Sequence, residues 1–421
     1  MSFRFLHAAD VHLDSPLRGL ERYEGAPVEE IRGATRRAFA NLVQLALEEE
    51  VAFLLLAGDL FDGDWRDYNT GLFFVDQMGK LLTAGISVYV VAGNHDADSQ
   101  ITKVLRPPSN VHVFSSRRAE TIVDEKNGVA LHGQGFATRV ITDDLAAAYP
   151  PASRDHLDIG LLHTNLDGRP GHDDYAPTSL DVLRSRGYDY WALGHVHQRE
   201  VVSEEPWIVY PGNLQGRHVR ETGNKGATLV TVSDGRIEGI EHRDCDVFRW
   251  ARCVIDVSGS DTADEALSRV GPCLDAALSS ADGRALAARV VLEGACEAHL
   301  ELHARSEHWR QAVRQIAAGL GQDGLWIEKI ELRTRRLASF GDVFSEHEAL
   351  GGLLRTIDRL RGAPSDLAAG VPELEDLKKK LPADLLSSGR LSDPASPDLL
   401  GTLLDDVQEV LLHRLAEAED S

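Results

Sequence analysis

Short, almost wholly apolar runs alternate with amphipathic stretches through the first hundred residues. Phe3–Ala9, Phe53–Ala57 and Ser87–Ala92 read as buried strands, while Val28–Glu49 and Asn69–Thr83 carry helical periodicity. Such alternation predicts a sheet with parallel pairing and helices packed on its faces. From about residue 105 the pattern turns strand-rich, with Val111–Phe114, Thr121–Val123 and Val129–His132, and a helix follows at Ser179–Arg186. Trp207–Tyr210 and a hairpin, Ala227–Val232 with Arg236–Glu241 turned at Asp234-Gly235, return to strand. The expected fold class is α/β: a two-sheet β-sandwich flanked by helices over residues 1–245.

Beyond residue 246 the pattern shifts. Ala251–Val257, Leu286–Glu293 and Trp326–Arg333 read as strands, and Ala263–Ser279 and Ser306–Leu320 as helices, which predicts a small α+β domain over 250–335. Residues 340–421 read as a helical C-terminal region built from Val343–Arg361, Pro372–Lys380 and Pro397–Glu419. In Leu399–Leu415, one face gathers Leu400, Leu403, Leu404, Val407, Leu411 and Leu415. That stripe suits a helix docking on a partner, and equally one packing on its own chain.

Length and composition agree with several domains. The 421 residues exceed what one core organises, and 43% hydrophobic with 26% charged is the balance of a soluble globular protein. Apolar runs fall well short of the ~20 residues of a membrane-spanning helix, so no membrane role is expected. Residues 1–9 read as a strand rather than a leader. Cys245, Cys253, Cys273 and Cys296 are scattered without Cys-x-x-Cys spacing, which suggests reduced thiols and a cytoplasmic setting. The net charge of −23 argues against a broad basic face for nucleic acid, and residues 341–421 alone hold 17 acidic against 8 basic side chains. Any grip on DNA is then local or shared with a partner, or the substrate is small.

The chemistry lies in five polar clusters, each directly after a predicted strand: Asp10-Val11-His12, Gly58-Asp59, Gly93-Asn94-His95-Asp96, His163 and Gly194-His195-Val196-His197. Ligands of parallel sheets sit beyond the carboxyl ends of the strands. Asp10, Asp59 and Asn94 offer oxygen, and His12, His163, His195 and His197 offer imidazole nitrogen. Seven such groups hold two divalent ions if one carboxylate bridges, and Asp59 is the choice for that bridge. Asp10 with His12, and His195 with His197, are read as alternating in extended segments, so that each pair points one way. Gln215, Arg217, His218 and Arg220 form a Gly-flanked turn suited to phosphate, with Arg217 and His218 as substrate-binding candidates. Trp65 and Arg66 are candidates for contact with a base.

The order of these clusters resembles the calcineurin-like metallophosphoesterase superfamily over residues 3 to about 245. The resemblance implies one ion on Asp10, His12, Asp59 and His197, and a second on Asp59, Asn94, His163 and His195. It implies that His95, helped by Asp62, stabilises the transition state or protonates the leaving oxygen. The mixed imidazole and carboxylate set suits Mn²⁺, Fe²⁺ or Zn²⁺ better than Mg²⁺, and Mn²⁺ is the expected ion. FLHAADVHLDSPLRGL, GDLFDGDW and YPGNLQGRHVRETGNKGATLVTV resemble the DNA-repair exonuclease branch, the nuclease subunit of SbcCD-type complexes, and the last resembles its YhaO-like bacterial subgroup. Aspartate at position 62, where archaeal and eukaryotic relatives carry histidine, fits the bacterial branch. The branch implies DNA as substrate, residues 250–335 as a capping domain, a homodimer, and an SbcC-like coiled-coil ABC-type ATPase as partner. Two rivals stand beside it: a phosphodiesterase for small nucleotides or other small phosphodiesters, and a non-catalytic scaffold.

Overall fold

The computed structural model describes residues 2–13, 15, 31, 33–62, 68–98, 106–153, 155–169, 175–320 and 324–336, and then 348–363, 367, 371–381, 396, 399–401, 403–404, 407–408 and 411. Trp65, Arg66 and the end of the C-terminal stripe at Leu415 lie outside them. The chain divides into two compact units. One comprises Met1–Cys253, Leu274–Arg289 and Gly321–Lys329, and the other Val254–Cys273, Val290–Leu320 and Ile330–Ser421.

The first unit is a sandwich of two six-stranded sheets. Its strands are β1 (Ser2–Ala8), β2 (Phe53–Ala57), β3 (Ser87–Val91), β4 (Val111–Val113), β5 (Glu120–Asp124), β6 (Val129–Gly133), β7 (Leu157–His163), β8 (Tyr190–Gly194), β9 (Glu200–Glu204), β10 (Trp207–Tyr210), β11 (Gly226–Ser233) and β12 (Arg236–Asp244). One sheet runs β12-β11-β1-β2-β3-β4 and the other β5-β6-β7-β8-β10-β9. In the first, β1 through β4 pair in parallel and β11 and β12 add antiparallel. In the second, β6, β7, β8 and β10 pair in parallel, with β5 and β9 antiparallel at the edges.

The apolar runs become strands because both of their faces are covered. In β2, Phe53, Leu55 and Ala57 point between the sheets, where they meet Leu131, Ile159, Leu161 and Tyr190. Leu54 and Leu56 point outward, against Phe39, Leu42 and Val43 of the helix Ala34–Glu48 and Phe74 and Met78 of the helix Tyr68–Thr83. A second outer core packs Leu183, from the helix Leu180–Arg186, on Trp191 and Leu193 of β8. Ser179 caps that helix by accepting from the Val182 amide, and Gly187 closes it in the left-handed region. The β11–β12 turn takes the predicted form, with Asp234 at φ 49° and Gly235 at φ 73°.

One buried polar group ties the sheets together. His7 of β1 shares a hydrogen bond with the Tyr190 hydroxyl through Nδ1, at 3.0 Å, and meets the Leu193 carbonyl through Nε2, at 3.2 Å. Burial pushes its imidazole down to about 3, against the opposing pull of the Leu193 carbonyl. The unfolded chain therefore binds the extra proton as pH falls from 6.5 toward 3, and folding stability falls with it. Between pH 7.5 and 5 this group should cost about 2 kcal/mol. His7→Gln keeps a donor and an acceptor but does not titrate. Urea unfolding of the ion-free protein at both pH values should show a smaller acid loss for the variant by that amount, and equal losses would refute the assignment.

A third sheet, in the order β13-β14-β15, is formed by Phe248–Asp256, Ala285–Ala295 and Leu325–Arg335. The helix expected over 263–279 is two, Ala263–Ser268 and Val270–Ser280, divided at Arg269. Thr262 caps the first by accepting from Glu265 N. A helix absent from the sequence reading, His299–Ala304, precedes Ser306–Gly319; it is six residues long, too short to show a period. At the C-terminus the helices Glu348–Gly362 and Pro372–Lys380 are present. The leucine stripe divides: Leu400 and Leu404 are buried, whereas Leu403 and Val407 are exposed. Arg361 donates to Gln408 at 3.0 Å, so this stretch packs at least partly on its own chain.

Candidate metal centre

Every predicted ligand sits where a strand of the first unit ends. Asp10 and His12 follow β1, Asp59 follows β2, Asn94 follows β3, His163 is the last residue of β7, and His195 and His197 follow β8. The loops run side by side, Asp10 N donating to Gly58 O at 3.0 Å and His12 N to Asp59 O at 3.0 Å. Two glycines permit the approach. A Cβ on Gly194 would lie 1.8 Å from Ala57 O, and Gly58 holds φ +93° where a Cβ would meet His163 Nδ1 at 2.3 Å.

The backbone of the ligand loops differs from the extended form expected from sequence. Asp10 (φ 51°), His12 (φ 46°), Asp59 (φ 52°) and His195 (φ 101°) all take the left-handed side, which costs a non-glycine residue of order 1–3 kcal/mol each. The turn at His195 breaks the strand alternation and corrects the reading of His195 and His197 as a pair. His195 packs its ring on His163, 5.1 Å between centroids, while His197 packs on His12 at 5.2 Å. Hydrogen bonds hold the strained residues in place, with the Asp10 carboxylate accepting from His195 N at 3.0 and 3.2 Å.

The donor atoms converge in two overlapping groups. His12 Nε2 lies 3.3 Å from His197 Nε2, and His197 Nε2 lies 3.7 Å from Asp10 Oδ1. His163 Nε2 lies 3.0 Å from Asn94 Oδ1 and 3.5 Å from Asp59 Oδ2. Asp59 Oδ2 is also 3.9 Å from His12 Nε2, so this carboxylate faces both groups. Groups on one ion at ~2.1 Å are roughly 3.0–3.5 Å apart, close to these separations.

The outward nitrogens decide the fit. His12 Nδ1 meets Asp62 Oδ1 at 2.7 Å, His197 Nδ1 meets Glu221 Oε1 at 2.7 Å, and His163 Nδ1 meets Ala57 O at 3.0 Å. Each acceptor can take the proton on Nδ1 and so turns Nε2 inward. Those Nε2 atoms gather with carboxylate and amide oxygens into a mixed donor set of the kind that holds a divalent ion. The residues therefore fit divalent ions, and Asp10, His12 and His197, and Asp10, Asp59 and His163, are groups able to hold one.

The protein's own charges agree. Burial pushes Asp59 up, but His163 and His12 outweigh it and leave the carboxyl well below its usual range. Burial pulls His163 down, yet Asp59 and Asp10 raise it to about 9. Asp62 is likewise held low against its burial by His12, His95 and Arg217.

His95 stands at the open side. Its ring meets His12 edge-on at 5.0 Å, its Nδ1 is 3.1 Å from Asp62 Oδ1, and its side chain is 36% exposed. Asp62 thus serves His12 and His95 together. Arg217 lies beside the centre, Nη1 at 3.5 Å from Asp62 Oδ2 and Nη2 at 3.7 Å from Glu221 Oε1. His218, with its side chain 55% exposed, is 3.5 Å from the same Glu221 oxygen. Gln215 is buried and its amide is engaged by Phe248 O, Gly216 O and Val247 N, so it supports the turn.

Three residues escaped the sequence reading. Asp96 accepts from Leu60 N, Phe61 N and Gly93 N at 3.2, 2.9 and 3.0 Å, stapling two ligand loops together. Its burial, then the Asp59 charge, push its carboxyl up to about 6 against those three bonds. Glu221 orients His197, and buried Lys225 donates from Nζ to His197 O at 3.0 Å. Asp96 lay within a quoted motif, and the other two within the YPGNLQGRHVRETGNKG stretch, but no spacing rule marks a residue that supports a ligand.

A helix-flanked double sheet with imidazole, carboxylate and amide donors at its strand ends is the arrangement of a metallophosphoesterase, and the comparisons point the same way. Residues 3–199 match the calcineurin-like phosphoesterase family, and residues 250–335 match the middle domain of the metallophosphoesterase YhaO. The chain is 41% identical over 258 residues to metallophosphoesterase YhaO of Bacillus subtilis (strain 168), an uncharacterized protein, covering 60% of this chain and 63% of that one. It is 27% identical over 302 residues to the DNA double-strand break repair protein Mre11 of Methanopyrus kandleri, covering 63% and 62%. The chain thus spans a little under two thirds of the length of these relatives. Among solved structures, a dimetal phosphatase from Danio rerio aligns at 14% identity and a TM-score of 0.37, over 58% of this chain and 96% of that one. Among the described residues, no helix is long and apolar enough to cross a membrane.

Proposed function

We propose that this protein is a metal-dependent phosphodiesterase that cuts DNA, the nuclease subunit of an SbcCD-like repair complex. The observation that carries the hydrolytic reading is the convergence of six donors at the strand ends, with the His195 ring packed on His163 and His95 on the open side. The likeness to the DNA double-strand break repair protein Mre11 supports DNA as the substrate.

Two divalent ions, Mn²⁺ by preference, would be held by Asp10, His12, Asp59 and His197 and by Asp59, Asn94, His163 and His195. Bound there, they supply acidified water and neutralise charge on the phosphate. The chain's own residues do the rest. Asp59 faces both donor groups, and its other oxygen is pinned by His95 N at 2.9 Å. His95, anchored on Asp62, presents its free Nε2 to the departing oxygen as a proton donor. Arg217 and His218 border the centre and would meet phosphates flanking the cut.

A net charge of −23 leaves electrostatic affinity for DNA to a partner, in the role of the coiled-coil ABC-type ATPase. A homodimer would double the reach along a duplex. The same charge is no obstacle to a small phosphodiester, and one assay separates the two readings. The purified chain is given Mn²⁺ with end-labelled single- and double-stranded DNA, and separately with a small aryl phosphodiester. Cleavage of DNA ends is the expected result. Turnover of the small diester with intact DNA, even at low salt, would overturn the DNA reading for this chain alone and favour the small substrate.

A further inference from the structure

A row of polar side chains crosses the inner layer of the sandwich toward its β12 edge. His7 of β1 pairs in register with Thr228 of β11, and Thr228 pairs with His242 of β12. Residues directly opposed on neighbouring strands share a face. His7 reaches Tyr190 of the opposite sheet, so the row His7–Thr228–His242 looks into the space between the sheets. Arg199, the residue before β9, stands near both ends of the row. Burial pushes the Tyr190 hydroxyl up, and the Arg199 charge opposes it. Burial pulls the His242 imidazole down, Asp244 resists, and the Arg199 charge presses it further down.

These groups lack what buried polar atoms ordinarily have. Thr228 is fully enclosed, yet among the described residues its Oγ1 makes no hydrogen bond. Neither ring nitrogen of His242 makes one, nor does Arg199 Nε, which is also shielded from solvent. Asp244 Oδ1 lies 3.2 Å from His242 Nε2 but out of hydrogen-bond alignment, and it already accepts from Asn224 Nδ2 at 2.7 Å. The other cations nearby are matched. Arg249 is paired with Asp244 and Asp246, and Lys225 donates to His197 O at 3.0 Å. Arg199 has no ion pair among the described residues. A hydroxyl, an imidazole and a guanidinium N–H without acceptors, beside one unmatched positive charge, call for an anion that accepts several hydrogen bonds. Water would answer the donors and leave the charge. We propose that Arg199, Thr228 and His242 form a binding site for one small tetrahedral oxyanion, inorganic phosphate or sulfate, built from none of the strand-end donors. The enclosed hydroxyl of Thr228 fits a compact ion, and the row opens toward solvent at His242, whose side chain is 15% exposed.

The test titrates inorganic phosphate calorimetrically into the full chain, stripped of metal by chelator in a buffer free of phosphate and sulfate, alongside thermal melts. Wild type should take up one phosphate per chain, and its melting midpoint should rise as phosphate is added. Arg199→Gln keeps a polar side chain but removes the charge, and should weaken phosphate roughly 10–100-fold. Thr228→Val keeps the shape and removes the hydroxyl. It should weaken phosphate roughly threefold to tenfold while the phosphate-free midpoint holds or rises, because an unanswered buried donor is gone. Arg217→Gln, beside the strand-end centre, should leave phosphate binding as it is. Loss of binding in Arg217→Gln with retention in Arg199→Gln would put the ion at that centre and overturn the proposal. No saturable uptake by wild type would overturn it as well, leaving the donors to water. So would a Thr228→Val protein with a lowered midpoint and unchanged affinity, since the hydroxyl would then be structural. A nucleoside monophosphate should fail to compete, and competition by it would overturn the assignment to a free ion.

Discussion

Asp59→Asn lowers metal-dependent phosphodiester hydrolysis by roughly 10³-fold. The reason lies in its position. Asp59 Oδ2 is 3.5 Å from His163 Nε2 and 3.9 Å from His12 Nε2, so this carboxylate faces both donor groups. Two divalent ions ~3.5–4 Å apart repel strongly in a poorly screened site, and a shared anion offsets that repulsion. Asparagine keeps the shape and an acceptor for His95 N, so the fold and the loop should survive while the bridging charge goes. The checks are kcat with Mn²⁺ and ion content after gel filtration, which should fall from two per chain to one or fewer. A variant that keeps a tenth of the activity and both ions would remove Asp59 from the bridge.

His95→Ala lowers kcat by roughly 10²–10⁴-fold on DNA or an alkyl diester while both ions stay bound. His95 is an imidazole of the cluster with a large open side, and its Nδ1 is committed to Asp62 rather than to the donor groups. Removing it therefore takes away a proton donor and leaves the ligands alone. A p-nitrophenyl ester separates the two roles the sequence left open, because its leaving oxygen departs without a proton. If His95 protonates the leaving group, the variant recovers most of its rate on that ester. An equal loss on both substrates would mean that His95 stabilises charge on the phosphate instead.

The elements that carry the site were legible because their sequences are locally consistent. FLLLA and SVYVV are apolar on both faces and too short to be helices, and β2 and β3 form there. Asp234-Gly235 set its turn through local backbone preference. Where local signals were weak, the reading slipped. A six-residue helix at His299 shows no period, and Arg269 divides a stretch whose apolar spacing reads as continuous.

The ligand set was legible for a related reason. Strand ends in parallel sheets collect at one edge, so polar residues at five strand ends fall together without any contact being known. What sequence could not supply is how each ligand is held. The left-handed turns at Asp10, His12, Asp59 and His195 are imposed by neighbouring loops and have no signature in a non-glycine residue. Nor is there one for Glu221, which lies 24 positions beyond the histidine it orients, or for Asp96 and Lys225, whose partners are backbone atoms of other loops. By itself the sequence determined the strands, their order and the identity of the donors, because hydrophobic period and residue chemistry are local properties. The tertiary structure decided which imidazole faces which and what stands behind His12, His163 and His197, because those depend on loops brought together only when the sheets close.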